Sequence, residues 1–338
     1  MHHIIIKTNS MKKLSSTIVL FIWLVSLSAL AQGPNNSGTY YQKADGKSGA
    51  ALKTALSAVI NPHTARSYDA LWDDFRTTDA RPDGKVWDMY SSISNFTFGK
   101  DQAGSYKGEG DVYNREHSFP KSWFGGKVKP MFTDLFHLYP TDGYVNNRHG
   151  NHPFGETNGE DYTSKGGFSK LGKCTYPGYS GTVFEPNDEY KGDFARTYFY
   201  MVTCYEDKLP SWYSNSEAKP TLDGKKYPGL SSWQLNMLMK WATNDPVSEK
   251  EINRNNAVYS IQHNRNPFID YPGLEQYVWG DKKTEAFSYD HYNETSGIHE
   301  IETKSVFREM YNLNGQRVNQ QKACKGIFLI NRKKVLVK

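Results

Sequence analysis

Four of the chain's ten histidines fall between positions 117 and 152, and the residues around them restrict the fold more than any other segment. The first stands in the stretch Tyr113-Asn-Arg-Glu-His-Ser-Phe-Pro120, directly after an acid. A regular strand sends neighbouring side chains to opposite faces. Either Glu116 and His117 divide between core and solvent, or the backbone ends or bulges at 116–118 and both turn toward one pocket; we expect the second. The other three histidines, His137, His149 and His152, lie in DLFHLYPTDGYVNNRHGNHPFGE over 134–156. The pattern predicts strands over 112–118 and 134–139 and a helix opening near Thr141. Thr141 would be its N-cap, Asp142 would sit in the favourable first turn, and Gly150 and Pro153 would end it. Asp142 and Asn146 then share a helix face.

A hairpin followed by one helix, presenting an acid and a histidine from a strand and an amide from the helix, suits one hydrated divalent cation. Magnesium takes oxygen ligands, keeps several waters, and needs only one or two protein groups beside a phosphate. Glu116 and Asn146 fit that requirement, with Asn147 and Asn151 as rivals to Asn146. His117 is then free to act as general base near neutral pH, since an unperturbed imidazole titrates near ~6.5. Asp134 either orients His117 or caps a turn, and His137 reads as a structural hydrogen-bonding residue. Arg115, Arg148 and Arg265 are candidates for gripping a phosphate, because a guanidinium matches two of its oxygens. His149 and His152 at i and i+3 lack a cysteine or third clustered histidine, so they do not make a closed zinc site. No H-E-x-x-H, P-loop or G-x-S-x-G is present.

Net charge argues neither way until it is divided. The total is +5, but residues 304–338 hold nine Lys/Arg against one acid, Glu309, and residues 1–31 add three lysines, which leaves 32–303 at −6. Any nucleic-acid site in the main domain must therefore be locally basic. Met11-Lys12-Lys13, the apolar run Ile18 to Leu27, and Ala29-Leu30-Ala31 read as an export signal over 11–31 with Gln32 as the first mature residue. Cys174 and Cys204 could pair in an oxidising compartment or stay as small buried thiols. Helical spacing appears over 49–60, from Asp193 through Tyr205, over 231–242 and near 247–262, while 87–99 suggests a strand. A polar linker is expected over 281–303. Beyond it Asn314-Gly315 marks a turn, and GIFLI and KVLVK read as two strands.

NREHSFPKSW followed by HLYPTDGYVNNRHGN resembles the extracellular endonuclease I family of ββα-metal nucleases. The likeness runs from about Tyr40 to Gly280 and includes KVWDMYS at 85–91, KGDFARTYFYM at 191–201 and IQHNRNPFIDYP at 261–272. It implies an α+β fold with a ββα-metal core, surrounding helices and a small C-terminal β domain, the nuclease part covering 39–280. It assigns His117 as general base and Glu116 and Asn146 as ligands of Mg²⁺, with Mn²⁺ or Ca²⁺ as alternatives. The implied activity is a secreted, monomeric, nonspecific endonuclease cutting DNA, with RNA as a second substrate, to 5′-phosphate ends. The family more often has glycine where this chain has His263, and its disulfide-stapled versions are not matched. The tail 304–338 resembles sorting domains read by the type IX secretion machinery of the outer membrane. The alternative reading of the whole is a non-catalytic surface adhesion protein on a nuclease scaffold.

Overall fold

The computed structural model describes residues 32–292 and, beyond them, four strand segments within 310–337. The expected export signal lies outside the described residues. Helix α1 (Gly49–Ile60) follows the predicted spacing, burying Leu52, Leu56 and Ile60 along one stripe. Helix α2 (Leu71–Thr78) comes next, and then a turn-rich stretch over 79–112. The strand expected over 87–99 is not formed: Val86 makes one isolated bridge with Ala80, and residues 87–99 run as turns and extended backbone. Their aromatic and β-branched residues serve packing instead. Phe96 and Val86 form a small cluster with Tyr113.

Strands β1 (Tyr113–His117) and β2 (Leu138–Asp142) pair antiparallel, and helix α3 (Gly143–His149) leaves β2 with no intervening loop. The second strand therefore lies later than the 134–139 expected. Asp134 to His137 form a turn after a short 3-10 segment, Met131–Thr133. A second sheet, β3 (Tyr162–Thr163), β4 (Lys170–Lys173) and β5 (Thr182–Glu185), is antiparallel in that order.

Helices α4 (Lys191–Cys204), α5 (Leu209–Trp212), α6 (Ser232–Asn244), α7 (Glu249–Gln262), α8 (Pro267–Asp270) and α9 (Leu274–Val278) complete the main body. Helix α4 follows the helical spacing read from Asp193 onward, and every residue from Gly192 to Cys204 is buried. It is the central element, packed by α1, α6 and α8, and an enclosed helix must carry its polar groups satisfied. Arg196 meets that need by clamping Glu251 through Nε and Nη2 at 2.5 and 2.8 Å. Glu251 also closes the capping box that starts α7 with Ser248. One turn on, Arg254 bonds Asp79 and donates to the carbonyls of Leu135 and Leu138, both at 2.8 Å. Helix α7 thereby holds the start of β2 in place.

Packing continues past residue 280. Phe287, Tyr289 and Tyr292, within the expected linker, are buried in the main core, and the rest of that expected linker, 293–303, lies outside the described residues. In the tail, β6 (Met310–Tyr311), β7 (Arg317–Val318), β8 (Gly326–Ile330) and β9 (Lys333–Val337) pair antiparallel in the order β7-β6-β8-β9. The two strands read from the sequence are there, with two shorter ones beside them. Cys174 and Cys204 are both free thiols. Among the described residues no helix is long and apolar enough to cross a membrane.

Candidate active site

Asp142, not Thr141, caps α3. Its Oδ1 accepts from the amides of Tyr144 and Val145 at 2.9 and 3.0 Å, while Oδ2 takes the amide of Gly110. A single residue is thus the last of β2 and the cap of α3. Gly143 permits this junction, because a Cβ there would meet Asn114 Nδ2 at 2.8 Å. The cap is itself tied down, since the Asp142 amide donates to Asp88 Oδ2 at 2.9 Å.

The ladder is regular through His117, which pairs with Leu138, and Ser118 N continues it by bonding His137 O at 3.0 Å. Strand β1 ends at His117, within the 116–118 expected, and does so without a bulge; the two neighbours contact different elements. Glu116 reaches α3: its Oε1 accepts from Tyr90 OH at 3.0 Å and bonds His149 Nδ1 at 2.5 Å. Its Oε2 has no protein partner among the described residues and is not an enclosed atom. His149 Nε2 donates to the carbonyl of His152, so this ring braces the acid from the helix end. Asn146 lies one turn before His149 on α3, half-buried, and its side-chain amide has no partner among the described residues. Its rival Asn147 is exposed.

His117 contacts a different set of residues. Its ring stacks on Phe132 at 5.2 Å and lies parallel to Tyr68 at 6.1 Å. Nε2 is 3.0 Å from the Phe132 carbonyl oxygen. A carbonyl only accepts, so Nε2 carries the hydrogen and Nδ1 keeps the lone pair. Burial, then the nearby His137 ring, hold the His117 pKa well below the ordinary histidine value. The neutral, proton-accepting form is therefore the one present at pH 7.

His137 is fully buried and bonds the Met131 carbonyl through Nε2 at 2.6 Å, a structural contact. Asp134 caps the turn through the Phe136 amide and accepts from Gln262, Tyr200 and Tyr205. It lies with His63 and Cys204 in a group whose ligand atoms fall within 4.8 Å of one another. Four donors already occupy its two oxygens, so this knot fits a structural role better than an ion. The free Glu116 Oε2 and unpartnered Asn146 amide fit a hydrated divalent cation better.

The three arginines separate. Arg115 is held over the Tyr68 and Trp72 rings at 3.5 and 4.3 Å and donates to Tyr68 O. Arg148 is exposed at the end of α3, against Tyr144. Arg265 is buried and grips Asp270 with Nε and Nη2, both at 2.7 Å. His263 occupies the left-handed region at φ 64°, capping α7 at the surface, which accounts for a glycine preference there. Tyr90 and His149 were missed as supports of Glu116. Tyr90 stands inside KVWDMYS and His149 inside the Asn146 motif, but nothing local says that either reaches residue 116.

One hairpin and the helix that leaves it carry an acid, a neutral histidine and an amide, residue types that suit a hydrolase of the phosphodiesterase class. The chain belongs to the Endonuclease I family, whose model matches residues 48–273. It is an endonuclease. It is 37% identical over 257 residues to an extracellular ribonuclease of Bacillus amyloliquefaciens, covering 75% of this chain and 82% of that one. A second extracellular ribonuclease, from Bacillus subtilis (strain 168), is 36% identical over 263 residues, covering 76% and 83%. An extracellular deoxyribonuclease of Aeromonas hydrophila is 26% identical over 142 residues, covering 41% and 50%.

Proposed function

We propose that this protein is a secreted, divalent-cation-dependent endonuclease that hydrolyses both RNA and DNA to 5′-phosphate ends without reading base sequence. The observation that carries the reading is the orientation of His117: Nε2 spent on the Phe132 carbonyl, Nδ1 free and unprotonated, one residue from an acid with an open oxygen. His117 Nδ1 takes a proton from the attacking water. Glu116, fixed by Tyr90 and His149, and Asn146 hold Mg²⁺, which when bound supplies positive charge to a non-bridging phosphate oxygen and the departing 3′-oxygen. Water as nucleophile makes the 2′-hydroxyl dispensable, so both sugars are substrates. The names of the relatives, ribonucleases and a deoxyribonuclease, support that breadth. Arg115 and Arg148 meet the substrate phosphates in this reading. The main domain ends near Tyr292, and the tail strands form a separate sorting-type β domain engaged by outer-membrane export machinery.

Incubating the purified full chain with plasmid and with unstructured RNA, with magnesium and with EDTA, tests this. Cleavage of both that EDTA abolishes, with 5′-phosphates at the new ends, is the expected result. Products ending in a 2′,3′-cyclic phosphate, or cleavage indifferent to EDTA, would refute it.

A further inference from the structure

A cleft of about 490 Å³ opens between the 123–131 segment and the 205–215 segment that contains α5. It shares a wall with the candidate active site. Phe124 lines it and lies 6.4 Å, ring to ring, from His117. Met131 also lines it and immediately precedes Phe132, whose carbonyl orients the His117 ring. The remaining lining is mixed and includes Trp212, Asn61, Lys129 from the first segment and Lys208 from the second. Asn61 spends Nδ2 on the Cys204 carbonyl, and its Oδ1 has no partner among the described residues. Lys129 and Lys208 are exposed and make no ion pair among the described residues. In a domain that is acidic as a whole, two exposed lysines lining an aromatic cleft point to an anionic, partly apolar ligand.

We propose that this cleft is a subsite for one nucleotide of an unpaired substrate strand, the base lying against the wall that Phe124 and Trp212 form together, their rings 5.8 Å apart, and the flanking phosphates meeting Lys129 and Lys208. The proposal deepens the nuclease reading and rests on it. A cleft of this size lies in the range that encloses small organic groups. Single-strand sites elsewhere combine a basic track with aromatic contacts to bases. A base inside a duplex reaches such a cleft only after unstacking and unpairing, at a cost of a few kcal/mol. The cleft therefore selects unpaired RNA or DNA over duplex.

The test uses the full chain, its Lys129→Ala/Lys208→Ala form, and Ser211→Trp, which places a bulky ring at an exposed lining position. Substrates are a short unpaired oligonucleotide, the same sequence as duplex, and bis(p-nitrophenyl) phosphate, a diester with neither a base nor flanking phosphates. Wild type should show the lower KM on the unpaired strand. Both variants should raise that KM about tenfold with kcat and small-diester turnover unchanged. The lysine pair should also reduce the salt slope of oligonucleotide binding by about 1.4, at ~0.7 per single-strand phosphate contact. An unchanged KM in Ser211→Trp, or equal KM for paired and unpaired strands, would overturn the proposal, because charge alone would then explain the lysine effect. Fluorescence anisotropy of the oligonucleotide in EDTA reads the cleft without turnover. A wild type that cleaves nothing yet binds with the same variant dependence would sink the nuclease reading and keep the cleft.

Discussion

Tyr90→Phe isolates the support of Glu116 from the rest of the site. Tyr90 is fully buried, and its hydroxyl donates to Glu116 Oε1 at 3.0 Å. Burial, and then the Glu116 charge, push its pKa well above the ordinary tyrosine value, so it stays a donor. Removing the oxygen deletes a hydrogen bond to a charged group, about 1.5–3 kcal/mol. The ring itself remains packed against Phe184 and Phe194, at 4.8 and 5.7 Å, so no large cavity opens. Glu116 is left with His149 as its one anchor at Oε1, and its free oxygen is less well placed. Loss of such an outer support lowers cation affinity about 10–100-fold, which at 1.4 kcal/mol per tenfold is about 1.4–2.8 kcal/mol. That agrees with the worth of the lost bond. Titration calorimetry with Mg²⁺ or Mn²⁺ on the full chain reads the dissociation constant directly. Turnover at saturating cation should recover most of the wild-type kcat. An unchanged dissociation constant in a variant of lowered melting temperature would mean that Tyr90 only packs, and that Glu116 is not held for a cation.

His117→Ala should cut kcat by about 10²–10⁴ while leaving calorimetric cation binding nearly intact; near-full activity would remove His117 from its role. Glu116→Ala, by contrast, should weaken both cation binding and turnover, and retention of wild-type affinity would reject it as a ligand. Arg254→Met strands the buried Asp79 carboxylate and frees the Leu135 and Leu138 carbonyls, so chemical denaturation should show a loss of about 3–5 kcal/mol. A loss under 1 kcal/mol would mean that α7 does not brace the hairpin. Burial pushes Asp88 up to about 7, against an unfolded value near ~3.9. The folded state then holds the extra proton between about pH 4 and pH 7. The contribution of Asp88 is full below about 4 and is lost as pH rises through about 7. Asp88→Asn should flatten that decline in the denaturation midpoint, and an unaltered slope would assign it to other groups.

Local chemistry settled much of this protein. The spacing of Leu52, Leu56 and Ile60 makes α1 wherever it packs, and the capping pair Ser248 and Glu251 starts α7 from four consecutive residues. The residue types at 116, 117 and 146 likewise state their chemistry without a fold, since an acid, an imidazole and an amide suit few tasks together. What sequence could not decide was direction and partnership. Thr141 and Asp142 are both good caps, and Asp142 prevails because Gly110 and Asp88, distant in the chain, complete its hydrogen bonds. Residues 87–99 have strand-like composition but no partner edge, so their aromatics pack as turns. Arg265 resembles a phosphate ligand until Asp270 is seen beside it. The lone pair of His117 is aimed by the Phe132 carbonyl, and Glu116 is held by Tyr90 and His149, contacts 15, 26 and 33 residues away in the chain. Side-chain identity carries reactivity, whereas orientation belongs to hydrogen bonds that close only when distant segments are packed together.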